Sequence, residues 1–303
     1  MTVLFTSQRP LERAENLKAV YDAFDGEKAF LRLNQQNSLP DLHSGKYSVQ
    51  VTDELVSDAV DKCLFIGHGM GAFKKYGLDQ PRPYFRKPEL LTYAIASSKE
   101  MVPIVARQLG LEQSQVLPVG MPRTDAYFRA SKIEKAGKNY LYAPTFHNNK
   151  TWIPDWEQIS NGLTMNNDIF VVKPHMVTGR IMPFDKYWNN IVEYDSGIPT
   201  TDFLVKSDVL ITDYSSIIFD AMVMRKPTVL FAKDKDAYMQ SRGIYLKYPD
   251  MYSEYYCETE SELVQMIQMA EWNDRDDELR QFFTGACDGK STQRVIEVIR
   301  SMM

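Results

Sequence analysis

The stretch Ser207–Pro227, reading SDVLITDYSSIIFDAMVMRKP, limits the folds open to this chain more than any other. Asp208–Thr212 places three apolar β-formers, Val209, Leu210 and Ile211, in a run short enough to be a buried strand. Ile217–Met224 follows as a helix that is apolar on most sides. Arg225 and Lys226 suit the negative end of its dipole, and Pro227 stops it. Between strand and helix lies the polar turn Asp213-Tyr214-Ser215-Ser216. Such a turn leaves backbone N–H groups and the positive dipole end facing outward, where an anion is well placed. From the residues alone, the turn either holds a phosphate or is a capped βα turn that holds nothing.

The same strand-then-helix unit recurs along the chain. Val3–Thr6 reads as a strand, Leu11–Phe24 as a helix and Ala29–Leu33 as a second strand, while Gln35–Lys46 is polar and turn-rich with no placeable element. Cys63–Ile66 runs into Gly67-His68-Gly69. Tyr93–Ala96 precedes Ser97 and Glu100, a capping-box start for a helix through Leu109, and Val116–Val119 leads into Gly120-Met121-Pro122-Arg123. The charged stretch Ser131–Lys138 reads as an interdomain linker. Asn139–Ala143, Ile169–Lys173, Asp208–Thr212 and Thr228–Ala232 form a second series of strands. Thr259 with Glu262 opens a helix through Met269, and Val295–Met302 closes the chain as an amphipathic helix. This alternation predicts α/β architecture with parallel, Rossmann-like sheets in two domains, residues 1–132 and 133–303, the terminal helix packing back on the first.

Composition excludes several classes. With 303 residues, 44% hydrophobic and 25% charged, the chain is globular and not disordered. A net charge of -5 gives no electrostatic reason to expect a nucleic-acid partner. Cys63, Cys257 and Cys287 are too few and scattered for a disulfide framework or a zinc site, so a reducing cytoplasm is the expected compartment. No apolar run approaches the roughly 20 residues of a membrane span, and the N-terminus does not read as a signal peptide. Peripheral contact with the inner face of a membrane stays open.

Of four histidines, His68, His147 and His175 follow predicted strands. In open α/β sheets ligands sit beyond the carboxyl ends of strands, and a near-neutral imidazole suits proton transfer there. Asp234-Lys235-Asp236 has the D-x-D form of metal-dependent glycosyltransferases but lies in a charged loop, and reads as a solvated turn. No Walker A sequence is present.

Five stretches stand in a telling order: Gly67-His68-Gly69-Met70 with Lys74-Lys75, Gly120-Met121-Pro122-Arg123-Thr124-Asp125, Tyr142-Ala143-Pro144-Thr145-Phe146, Lys173-Pro174-His175, and ITDYSS with its helix and Lys-Pro. Over residues 60 to 245 they resemble the CDP-glycerol glycerophosphotransferase family, the teichoic-acid polymerases and primases. The resemblance implies a GT-B fold, two Rossmann-like domains facing a central cleft. It implies transfer of glycerol phosphate or a related polyol phosphate from a CDP-activated donor to an acceptor hydroxyl, releasing CMP. By the same resemblance His68 is the base that deprotonates the acceptor, and His175 is a catalytic contact to the donor's phosphate. Thr145, Lys173, Asp213, Tyr214, Ser215, Ser216 and Arg242 complete the donor site, with Gly69, Lys74, Arg123, Asp125 and His147 at the acceptor or cleft.

The chain departs from the family's pattern at Gly67, usually aromatic, at Met70-Gly71 for Thr-Pro, and at His147 and Lys173, where arginine is usual. No metal or other cofactor is expected. The partners implied are a nucleotide-activated donor and a hydroxyl-bearing acceptor, whether polymer, lipid-linked or small molecule. Because the chain begins almost at its first strand, the acceptor is expected to be soluble, or a partner to recruit the protein. Two alternatives remain from the residues: a GT-B glycosyltransferase using a nucleotide sugar, and a nucleotide-binding protein without catalysis.

Overall fold

Among the described residues, two separate sheets, each of six strands and each parallel throughout, organise the molecule. The computed structural model describes residues 2–33, 42–69, 73–79, 87–129, 137–146, 153–163, 167–183 and 186–303. The chain divides into two compact units: Met1–Arg129 together with Gln281–Met303, and Ala130–Arg280. Most of the expected linker, residues 131–136, lies outside the described residues.

The first unit contains β1 (Thr2–Ser7), α1 (Glu15–Ala23), β2 (Lys28–Arg32), β3 (Tyr47–Thr52), β4 (Cys63–Phe65), β5 (Tyr93–Ile95), α2 (Val102–Leu109) and β6 (Val116–Leu117). Its strand order is β2-β1-β3-β4-β5-β6. β1 is buried along its whole length, its polar Thr2, Thr6 and Ser7 included, as a strand paired on both sides and covered on both faces of a parallel sheet is. β3 is not among the strands read from the sequence, although Tyr47, Val49 and Val51 alternate with Ser48, Gln50 and Thr52 at the period of a strand. That glutamine is itself buried, its amide donating to Thr6 Oγ1 at 3.0 Å while its carbonyl accepts from Val60 N at 3.1 Å. The single helix expected over Leu11–Phe24 is a 3-10 turn, Leu11–Arg13, followed by α1, with Ala14 between them outside helical geometry (φ -95, ψ 64).

The capping box expected at Ser97 and Glu100 does not form. α2 starts at Val102 without a side-chain cap from Met101, and the Ser97 hydroxyl donates to Phe283 O at 2.6 Å. The hydroxyl that meets this turn is the next one: Ser98 Oγ accepts Met101 N at 3.2 Å while donating to Phe282 O at 2.6 Å.

The second unit contains β7 (Asn139–Tyr142), α3 (Trp156–Gly162), β8 (Ile169–Val172), β9 (Ile191–Glu193), α4 (Thr200–Leu204), β10 (Val209–Thr212), α5 (Ile217–Val223), β11 (Thr228–Phe231), α6 (Lys235–Ser241), β12 (Tyr255–Cys257) and α7 (Glu260–Met269). The strand order is β12-β11-β10-β7-β8-β9. Period-2 alternation assigns its side chains to two cores. Tyr140, Tyr142, Val209 and Ile211 pack with Ile159 of α3 and Leu263 of α7, while Leu141 and Leu210 pack with Leu204 of α4 and Ala221 of α5. The capping box at Thr259 and Glu262 forms as read.

α5 is buried from Ile218 to Val223, which explains its nearly all-round apolar sequence. The two cations after it act differently from expectation. Lys226 Nζ donates to Val205 O at 3.0 Å and to Ser207 O, tying the α4–β10 connection, and Arg225 pairs with Asp277 at 3.1 Å.

α8 (Asp274–Thr284) carries the chain out of the second unit, and α9 (Ser291–Met302) completes the first. Its fastening is specific. The Asp125 carboxylate accepts from Ser291 N at 3.0 Å and Thr292 N at 2.7 Å, Arg294 Nε donates to Val119 O at 2.9 Å, and Arg300 meets Asp25 at 2.7 Å. Gly120 permits the approach: at φ 82 it occupies the left-handed region, and a Cβ there would lie 2.3 Å from Ser291 Oγ.

Candidate active site

The loops that leave β1, β3, β4 and β6 carry the candidate residues of the first unit. After β4, Gly67 takes φ 61 and turns the chain so that His68 stands at the strand's carboxyl end. Two contacts fix the loop. Asn16 of α1, buried, donates Nδ2 to Gly67 O at 3.0 Å and accepts Arg123 N at Oδ1 (3.1 Å). Arg123 in turn donates Nη1 to His68 O at 2.7 Å and reaches Glu15 at 3.8 Å.

His68 Nδ1 lies 3.3 Å from Asp53 O and 3.6 Å from Glu54 Oε1. A carbonyl oxygen only accepts, so in this hydrogen bond Nδ1 carries the proton and Nε2 of the neutral ring is bare. Burial foremost, then the Arg9 charge, pushes the imidazole down to about 4, with Arg123 adding to the fall and the Asp53 carbonyl opposing it. Its side chain is still 34% exposed. Glu54, 12% exposed at its side chain, is pushed the other way to about 7 by burial, with Asp53 adding to the rise and Arg9, 3.7 Å away, opposing it. The buried Asp53 carboxylate accepts no well-formed hydrogen bond among the described residues, and burial raises its pKa against the opposing effects of Ser7 and Arg9. A neutral imidazole with a bare nitrogen is a competent proton acceptor.

In the second unit, β10, β7 and β8 are neighbours, so the DYSS, APTF and KPH segments leave adjacent strand ends. Asp213 knots two of them. Its carboxylate accepts Thr145 N (2.8 and 3.1 Å) and Tyr214 N, while Thr212 Oγ1 donates to Ala143 O at 2.7 Å. Tyr214 is wholly buried, stacked on Tyr238 with ring centroids 3.7 Å apart, and its hydroxyl donates to Asp234 Oδ1 at 2.8 Å. Burial, with Asp234 beside it, holds that phenol far above its ordinary pKa. Arg242 lies close enough to Tyr238 to lower that hydroxyl's pKa against the rise that burial causes, and Thr145 hydrogen-bonds the same hydroxyl. Ser215 and Ser216, half-buried, precede α5, and no described residue accepts their backbone N–H groups.

His175 is exposed after β8. Its Nδ1 accepts Val177 N at 3.2 Å, which leaves a proton on Nε2 of the neutral ring, and Phe146 lies 6.1 Å away ring to ring. Lys173 is buried, its ammonium donating to Ser196 O at 2.9 Å and Pro174 O at 3.3 Å. Burial lowers its pKa, and Asp195 opposes the shift.

The structure thus redistributes the expected roles. Asp125 caps α9, and its carboxylate is spent on that helix's N–H groups. Asp213, Tyr214 and the Thr145 N–H form the bonded underlay of the turn. Asp234 is no solvated half of a D-x-D pair, because it receives the Tyr214 hydroxyl, while Asp236 is exposed. Gly69 and Lys74 belong to the segment around His68, both half-buried, and His147 lies outside the described residues. Arg9, Asn16, Asp53 and Glu54 were missed. Asn16 comes from α1 and the others from the loops after β1 and β3, and no local motif announces them.

Two Rossmann-like units with chemistry-bearing loops at strand carboxyl ends define an α/β protein of GT-B type. The wall teichoic acid polymerase TagF has this fold too, with a TM-score of 0.79 at 19% identity over 99% of this chain and 88% of that one. Residues 11–301 match the profile of the CDP-glycerol:poly(glycerophosphate) glycerophosphotransferases, and the chain belongs to that family. It is similar to the teichoic acid poly(ribitol-phosphate) polymerase of Bacillus spizizenii, 25% identical over 98% of this chain and 56% of the relative. It also resembles the teichoic acid glycerol-phosphate primase of Bacillus subtilis, 26% identical over 80% of this chain and 68% of the relative. The chain spans only about half the length of the polymerase. Among the described residues, no helix is long and apolar enough to cross a membrane.

Proposed function

We propose that this protein transfers glycerol phosphate, or a related polyol phosphate, from a CDP-activated donor to an acceptor hydroxyl and releases CMP. The observation that carries the reading is the family match across residues 11–301, with His68 in a chemical state that suits it. In this mechanism Nε2 of His68 takes the acceptor's proton. The freed oxygen attacks the β-phosphorus, the bond to the CMP oxygen breaks, and CMP departs with that electron pair. The proton on His68 then returns to water. Donor charge is met by the Ser215 and Ser216 N–H groups and hydroxyls, by Nε2–H of His175 and by Arg242. Lys173, held on carbonyls, adds positive field from beneath. Positioned donors of this kind stabilise a transferring phosphoryl group without a covalent enzyme intermediate, and no metal is needed in this scheme.

The acceptor is a hydroxyl-bearing polymer, lipid-linked chain or small molecule, met in the cytoplasm or at the inner membrane face. A melting-temperature series with CMP, CDP-glycerol, UDP and GDP, followed by turnover of CDP-glycerol with and without EDTA, tests the reading. Cytidine nucleotides are expected to raise the melting temperature by mass action, and Ser215→Val with Ser216→Val to abolish the shift while the protein stays folded. A shift with UDP or GDP and none with cytidine nucleotides overturns the donor. Turnover that vanishes with EDTA and returns with magnesium overturns the metal-free scheme.

A further inference from the structure

Behind His68, on the side away from its bare Nε2, the ends of two strands converge: Ser7, the last residue of β1, with Arg9 just beyond it, and Asp53 and Glu54 after β3. Arg9 Nη2 and His68 Nδ1 approach the same atom, Glu54 Oε1, at 3.7 and 3.6 Å. We propose that Glu54 is the positioning residue of this site, a carboxylate held by Arg9 against Nδ1 of His68 that stabilises the imidazolium formed when Nε2 takes the acceptor's proton.

The inference rests on the function proposed above and assigns the part of that site which no motif marks. The geometry separates two jobs usually given to one acidic partner. Asp53 O accepts from Nδ1–H at 3.3 Å and so fixes the tautomer whatever the state of Glu54. Glu54 stands slightly beyond hydrogen-bond reach, at ion-pair distance, and acts through charge. The backbone that carries the ring is held by Asn16 at Gly67 O and Arg123 at His68 O, and the ring itself by Asp53 O.

When the acceptor's proton moves to Nε2, no atom leaves the pair. Nδ1–H stays in place, the ring gains one positive charge, and the charge is met by Glu54. The other charges around the pair work against the imidazolium or are spent. Arg9 and Arg123 both disfavour it, Arg123 faces Glu15 of α1, and Asp53 is held toward its neutral form by burial. Tyr76 presents its ring edge-on, 6.5 Å from the imidazole. Without an anion at Glu54, a base lying between two guanidinium groups is a poor one. Burial pushes Glu54 up to about 7, so the useful anion appears as pH rises through neutrality.

Two measurements on the full chain test this. The first is nitrogen-detected NMR of His68 across pH 3 to 9, which needs no substrate and therefore reads the pair even if the proposed reaction is wrong. The Nδ1 resonance is expected to shift with a midpoint near 7 as Glu54 ionises, and again with a midpoint near 4 as the ring protonates. In Glu54→Gln the upper step is expected to vanish while Nδ1 stays protonated. The second is the pH profile of kcat/KM with CDP-glycerol. Wild type is expected to rise through pH 7, and Glu54→Gln to lose that rise and fall about 10- to 100-fold at pH 8, a modest share of what a general base contributes. Glu54→Asp is expected to restore part of the rise, which a purely structural role would not produce. A wild-type Nδ1 resonance without the upper step overturns the proposal whether or not the variants fold. So does a Glu54→Gln profile parallel to wild type.

Discussion

The two groups of strand-end loops differ in what their buried charge is doing. In the first unit Asp53, Glu54 and His68 sit partly desolvated with loose or absent hydrogen bonds, and their proton affinities move away from ordinary values. In the second, Asp213 and Asp234 are each matched to a specific donor: two backbone N–H groups for one, the Tyr214 hydroxyl for the other. Loosely satisfied groups can change protonation during a reaction, whereas fully satisfied ones hold a backbone still. The proposed function assigns proton transfer to the first unit and the presentation of fixed donors to the second. In the most conspicuous motif, DYSS, the first two residues are bonded into the scaffold, and the proposed function assigns the last two to the donor's phosphate.

The sharpest way to break this comparison is to remove the imidazole. His68→Ala is expected to lower turnover by about 10²–10⁴-fold while donor affinity, measured by calorimetric titration, stays near wild type. His175→Ala, in the other unit, is expected to weaken donor binding as well. Equal effects of both changes on donor affinity would erase the division of labour.

Stability should respond in the opposite pattern. Asp213→Ala leaves two buried N–H groups without their acceptor, and urea unfolding is expected to show a loss of about 2–4 kcal/mol. A loss below about 0.5 kcal/mol would place Asp213 with ordinary surface residues.

A smaller difference separates the two aspartates of the D-x-D stretch. Asp234→Ala strands the Tyr214 hydroxyl and is expected to cost about 1–2 kcal/mol, whereas Asp236→Ala, at an exposed position, should stay within about 0.5 kcal/mol. Equal costs would reinstate the solvated-turn reading.

The last effect depends on pH. Burial raises Glu54 from its ordinary 4.5 to about 7, so the folded state favours the protonated carboxyl. A raised carboxyl contributes stability at low pH that is lost as pH climbs from the unfolded value through the folded one. Glu54→Gln cannot lose it. The variant is therefore expected to gain on wild type between about pH 4.5 and 7, by on the order of 1–3 kcal/mol, and to hold that margin above. Melting curves at pH 4, 6 and 8 check the sign, and a margin that shrinks with pH contradicts the assignment.

Much of the second unit could be read along the chain because its determinants are local. An apolar run, a polar turn and an apolar helix ending in Lys-Pro suffice to place β10, DYSS and α5, and Thr259 with Glu262 specifies its own cap. Elsewhere the local reading is off by a residue or incomplete. The helix start expected from Ser97 is served instead by Ser98, whose Oγ accepts Met101 N, and the buried side of β3 needs Gln50 paired with Thr6 and Val60, partners that lie far along the chain or in a loop.

By itself the sequence determined the alternation of strands and helices, the parallel sheets and the positions of His68 and His175 after strands. These follow from hydrophobic period and from turn and cap chemistry, which act over a few residues. Only the tertiary structure decided which polar groups are chemical and which are structural. Asp125 and Asp213 became fastenings because helix and strand ends from elsewhere in the chain bring unsatisfied N–H groups to them. Glu54 became a neighbour of His68 because β3 and β4 pair in parallel and place their carboxyl ends side by side. Desolvation and pairing depend on what surrounds a side chain in space, and a linear pattern of residues does not carry that information.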